Sequence, residues 1–119
     1  MTDAPVLDIS VFAEARDAMR DRFGKVISFY LEDTTSYIEK IRSGLGTQNA
    51  EAIVPPAHTI KSSSRQLGAI RLSELAKDIE LTCRDIVKGN GSLESIPAKF
   101  EQLEAAFDET RKVLQINTQ

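Results

Sequence analysis

MRDRFGKVISFYLEDTTSYIEKIRS, residues 19–43, places apolar or small side chains at three- and four-residue steps: Met19, Phe23, Val26, Ile27, Tyr30, Thr34, Tyr37, Ile38 and Ile41. At about 100° per residue these positions share one face, so the stretch predicts a long amphipathic helix, with Gly44 as its stop. On either side of it, glycine and proline act as punctuation at Gly44 and Gly46, Pro55-Pro56, Gly68, Gly89-Asn90-Gly91 and Pro97. A short helix is predicted over about residues 9–17, capped by Asp8 or Ser10, with Ile9, Phe12 and Ala13 inward. A third lies between residues 49 and 68. A fourth, over roughly 71–88, turns Leu72, Leu75, Ala76, Ile79, Cys83, Ile86 and Val87 inward. Ser95 ahead of Ile96-Pro97 opens a fifth, because proline is tolerated in a first helical turn. That helix buries Phe100, Leu103, Phe107, Thr110 and Leu114. No stretch alternates as a strand does. The expected fold is all-α: an antiparallel four-helix bundle with a short N-terminal capping helix, as one domain over residues 1–119.

Composition removes several function classes. The chain carries 15 Lys+Arg against 18 Asp+Glu, a formal charge of −3, and so has no general attraction for nucleic acid or anionic lipid. One Cys and one His cannot build a zinc site, and a single Cys cannot form an internal disulfide. Cys83 falls on an apolar stripe and reads as a small buried hydrophobe. The N-terminus lacks the basic start and apolar core of a signal peptide, and the apolar runs are too short for a membrane span. A cytoplasmic monomer is the expectation. The run Glu101, Glu104, Asp108 and Glu109 reads as a solvated helix face.

The chemistry concentrates in residues 58–69, HTIKSSSRQLGA. On a helix, Ile60 and Leu67 lie roughly opposite His58, whereas Lys61, Ser62, Arg65 and Ala69 fall within about 60° of it. The imidazole is therefore predicted to point away from the bundle, beside two cations and among small residues that leave it accessible. No Asp or Glu of the segment shares that face, so no acid is expected to orient the ring. Such a site suits an anionic group such as a phosphoryl. Pro55-Pro56 just before it predicts either a kink in the third helix or a fresh start there, with the kink preferred. A start would set His58 near the positive end of the helix dipole.

The run His58-x-x-Lys61-Ser62-Ser63-Ser64-x-x-Leu67-Gly68-Ala69 resembles the signature of histidine-containing phosphotransfer (HPt) domains, H-x-(L/I)-K-(G/S)-(S/A)-(S/A)-x-x-(L/I/V)-G-A. Tyr30-Leu31-Glu32-Asp33-Thr34 is similar to a stretch common in that family's preceding helix. The resemblance covers nearly the whole chain and departs from the pattern mainly at Pro55-Pro56. It implies a four-helix bundle in which His58 accepts a phosphoryl group through Nε2 from an aspartyl phosphate on a response-regulator receiver domain and passes it to another. Lys61 and Arg65 would stabilise the phosphoryl charge. Ser62 and Ala69 would keep the approach open; Phe29, off the stripe of its helix, reads first as packing on Ile9 or Phe12 and in the sharper reading as part of an apolar docking rim near His58. The partners implied are receiver domains and a hybrid sensor kinase. The receiver would bring the Mg²⁺, and this chain would need no cofactor of its own.

Autokinase activity is not expected, since no Gly-rich nucleotide loop is present. A serine hydrolase lacks an orienting acid and an oxyanion hole. The competing class is a helical adaptor, or an inactive HPt-like module, that binds receivers without carrying phosphate; such a protein has no need of the His58-Lys61 pair. The start at Met1 and the length favour a free-standing relay over a domain cut from a hybrid kinase.

Overall fold

A computed structural model describes residues 3–117. Five α-helices follow one another: α1 (Ile9–Met19), α2 (Phe23–Gly46), α3 (Ala50–Leu67), α4 (Ile70–Val87) and α5 (Ile96–Asn117). No strand occurs among the described residues. The long helices α2 to α5 form the antiparallel four-helix bundle, and α1 caps one end.

The helix limits follow local chemistry. The Asp8 carboxylate accepts the Val11 N–H at 3.2 Å and so caps α1. The chain then breaks where the apolar stripe predicts a single helix from Met19 onward. Arg20 takes φ 50°, a tight turn covers Arg20–Arg22, and α2 begins at Phe23. Asn49 caps α3 by accepting the Ala52 N–H at 3.1 Å. Gly68, at φ 88°, closes α3 in the left-handed conformation that glycine adopts without penalty.

The core is a continuous seam of side chains from all five helices. Ile27, Ile38 and Ile41 of α2 meet Ile53, Ala57 and Ile60 of α3, while Leu72, Ile79 and Cys83 of α4 meet Phe100, Leu103 and Leu114 of α5. Phe12 of α1 packs edge-on against Phe23, with ring centroids 5.1 Å apart. Two residues assigned to the core lie outside it. Ile9 stands at the very start of α1, and Val87 ends α4 beyond the last covering turn; both are exposed.

Gly44 does not stop α2, which runs on to Gly46. It is buried, and a Cβ there would come within 2.6 Å of the Ile53 Cγ1, so glycine at this point lets α2 and α3 approach.

The double proline lies inside α3, and residues 50–54 are helical. That excludes the fresh start at Pro55: α3 runs without a break from Ala50 to Leu67. The two prolines leave the carbonyls of Glu51 and Ala52 without helical donors, and both residues are exposed, so water can serve them. Roughly two turns of helix therefore precede His58, and the dipole at a helix start plays no part in its chemistry.

Candidate functional site

His58 projects from the middle of α3 with its side chain 52% exposed. Ile60 and Leu67, on the opposite face, are buried. Beneath the ring lies a group from another helix. The Nδ1 atom stands 2.9 Å from Oε2 of Glu80 on α4, whose side chain is only 3% exposed. The acid missing from residues 58–69 is thus supplied by α4, which corrects the expectation of an unoriented ring.

A buried carboxylate persists only if cations surround it. Glu80 Oε2 accepts from Arg84 Nε at 2.8 Å and lies 2.7 Å from its Nη2, one turn on along α4. Its Oε1 lies 2.7 Å from Lys61 Nζ, at an angle that makes the contact an ion pair more than a directed hydrogen bond. Burial alone would raise the carboxyl. The contacts with Lys61, Arg84 and His58 outweigh it and hold the group down at about 2.

Glu80 is therefore ionised and can only accept a hydrogen bond. Facing it, Nδ1 must carry a proton. In the neutral imidazole the lone pair then resides on Nε2, the ring nitrogen turned away from Glu80. An acid beneath the ring fixes the tautomer and orientation much as the carboxylate of a catalytic triad does.

The predicted neighbours divide. Lys61 lies at the site, bound to Glu80. Ser62 is exposed on the same face. Arg65 is largely exposed and reaches Glu74 only at 3.9 Å, so its guanidinium is weakly held. Ala69 is not on this face: α3 ends at Leu67, Gly68 turns the chain, and Ala69 is fully buried at the start of α4. Ser64 turns inward, its hydroxyl meeting that of Tyr30 at 2.6 Å inside the core, while half-buried Ser63 donates to the Thr59 carbonyl of its own helix. Burial there pushes the Tyr30 phenol up to about 12.

Phe29 is 54% exposed and does not pack on Phe12, whose partner is Phe23. It lines a groove of about 340 Å³ between α2 and α3 with Val26, Tyr37, Thr59, Ser63 and Gln66. Thr59 brings that groove alongside His58.

Glu80 and Arg84 escape a reading of the chain alone. One signal is present: Glu80 lies between Ala76 and Cys83, close to the apolar stripe of its helix. An acid in such a place calls for cationic partners on a facing element. Among the described residues no group of three or more His, Cys, Asp or Glu side chains could hold a metal ion, and no helix is long and apolar enough to cross a membrane.

The Hpt domain family model matches residues 25–113. Among solved structures, the crystal structure of histidine-containing phosphotransfer protein B (HptB) from Pseudomonas aeruginosa PAO1 is similar, with a TM-score of 0.88 and 26% sequence identity. The likeness covers 97% of this chain and 96% of that one. No curated protein sequence matches.

Proposed function

The chain belongs to the Hpt domain family, and on that premise we propose that it relays a phosphoryl group between aspartates of receiver domains, carrying it on His58 Nε2. Histidine phosphotransfer in two-component signalling is the activity of the family, and its members work with response regulators and kinases of a phosphorelay. The observation that carries the finer reading is the Glu80–His58 hydrogen bond, which leaves a lone pair on an accessible nitrogen.

Phosphoryl transfer depends on positioning and charge stabilisation more than on covalent machinery. Glu80 fixes the ring in the nucleophilic tautomer and is a positioning residue, since it acts through His58. Lys61 Nζ, 2.7 Å from Glu80 Oε1, needs only a rotamer change to meet the equatorial phosphoryl oxygens. Arg84 stays on Glu80 and keeps the buried carboxylate neutralised while Lys61 is engaged elsewhere. Ser62 leaves room for the incoming aspartyl phosphate, and Arg65 offers a second, mobile cation. Phe29 and the α2–α3 groove supply an apolar contact for the receiver. The Mg²⁺ belongs to the receiver, because the one carboxylate beside His58 is already committed to Lys61, Arg84 and the ring.

The test is a transfer profile. The purified chain is incubated with each phosphorylated receiver and hybrid kinase of its source, and label transfer is followed in time. Rapid transfer from one or a few receivers is the expected result. Binding without transfer from any of them would overturn the relay in favour of an adaptor.

A further inference from the structure

We propose that Glu80 keeps the proton on Nδ1 after His58 is phosphorylated, so that the chain carries its phosphoryl group on an imidazolium and gives it up readily instead of storing it. This role rests on His58 as the acceptor and belongs to the phosphorylated state of the ring.

The transfer step sets the charges. The Nε2 lone pair forms the N–P bond while the P–O bond of the aspartyl phosphate breaks, and that electron pair leaves with the receiver's carboxylate. The ring was neutral and protonated at Nδ1; it ends with phosphorus on Nε2, the proton still on Nδ1, and one positive charge. An exposed phosphoimidazolium could release that proton to water. Here Nδ1 faces Glu80 Oε2 at 2.9 Å. Deprotonation would turn a nitrogen lone pair toward an ionised, buried oxygen. Retention keeps a charge-assisted hydrogen bond in its place.

Other charges around the ring act in both directions. Lys61 and Arg65 follow on α3, one and two turns away. From α4 come Glu80, Arg84 on Glu80, and Glu74 on Arg65. From α2, Asp33 and Tyr37 lie across the groove lined by Thr59 and Ser63. Helix α1 meets the other end of α3, where Asp8 N–H donates to the Gly68 carbonyl. The cations of Lys61 and Arg84 oppose a positive ring before transfer. A doubly negative phosphoryl group on Nε2 offsets them afterwards, so retention is a property of the phosphorylated state.

The consequence is chemical. From an imidazolium the phosphoryl group departs leaving neutral imidazole. From a deprotonated ring the leaving group would be an imidazole anion, far less able to depart. Glu80 thus favours onward transfer, with a shorter phosphohistidine lifetime as the accompanying cost.

Phosphoramidate phosphorylates histidine without a receiver, so the wild-type chain and Glu80→Gln are both loaded with it. Nδ1 protonation is read from ring-nitrogen NMR shifts as pH is varied, in the folded protein and in urea. The midpoint in folded wild type should exceed that in urea by about one to three pH units. In Glu80→Gln it should fall back toward the urea value, and the phosphohistidine half-life at neutral pH should lengthen by about tenfold. A folded wild-type midpoint at or below the urea value overturns the proposal, as does a folded Glu80→Gln with an unchanged midpoint. If Glu80→Gln does not fold, the wild-type comparison with urea decides alone. A chain that titrates as stated but accepts nothing from any phosphorylated receiver supports this proposal and contradicts only the receiver relay.

Discussion

Glu80 Oε2 and His58 Nδ1 stand 2.9 Å apart although 22 positions separate the two residues in the chain. The contact crosses the α3–α4 interface and anchors an exposed ring to a buried charge. Stability and chemistry therefore meet in one carboxylate: the same group that orients the nucleophile must be kept neutralised by Lys61 and Arg84.

Acid stability should report Glu80 directly. Its folded value, about 2, lies below the usual 4.5. The ionised group therefore stabilises the fold fully above the unfolded value, and that contribution is lost as pH falls from about 4.5 toward about 2. Denaturant melts taken across this window should show wild-type stability falling more steeply with acid than that of Glu80→Gln. Equal slopes would mean that the carboxylate is not held as described.

Lys61→Ala should affect both functions of the site. Loss of one charge-stabilising contact typically costs about 2–4 kcal/mol in the transition state. The weakly held Arg65 can substitute in part, so the transfer rate should fall by about tenfold to a hundredfold, or about 1.4–2.7 kcal/mol, at and below the low end of that range. The fold should also lose about 1–3 kcal/mol, because among the described residues Oε1 of buried Glu80 has no partner besides Lys61. Stopped-flow transfer and urea melts on the same variant separate the two effects.

Gly44→Ala tests the approach of α2 to α3. The added Cβ meets Ile53 Cγ1 at 2.6 Å, and Ile53 is fully buried with little space to move into. Overpacking of this kind costs about 1–3 kcal/mol. Gly46→Ala, where nothing lies within 4 Å, is the control and should be neutral or slightly stabilising. A Gly44→Ala variant as stable as wild type would contradict the close packing.

Phe29→Ala should weaken docking without touching the fold, since the ring is more than half exposed. For transfer from a cognate receiver, KM should rise several-fold while the first-order rate of the bound complex changes little. A fall in that first-order rate with KM unchanged would remove Phe29 from the docking surface.

Most of the bundle is legible in the chain because period and burial coincide. The stripe from Phe23 to Ile41 is helical, and of its members only Val26 and Tyr37 are half-buried instead of buried. His58, Lys61 and Ser62 are legible because one helix carries all of them. A helical wheel misplaces Ala69 because it continues past Gly68, where φ 88° ends α3. Gly44 misleads because a glycine that stops a helix and one that admits a neighbour look alike until the neighbour, Ile53, is known. Glu80 and Arg84 stay hidden for a related reason: their role exists only across the α3–α4 interface, which no local period encodes.

The most direct measurement is the position and chemistry of the phosphoryl group after exposure to a phosphorylated receiver, read by phosphorus NMR and peptide mass on wild type and His58→Gln. The side-chain amide introduced by His58→Gln still offers a donor to Glu80 and sits at an exposed site, so folding should shift by only about 0.5 kcal/mol. In wild type the phosphoryl group should be found on Nε2 of His58, labile in acid and stable in base, and the variant should accept none. Label on another residue, or continued acceptance by folded His58→Gln, would contradict it.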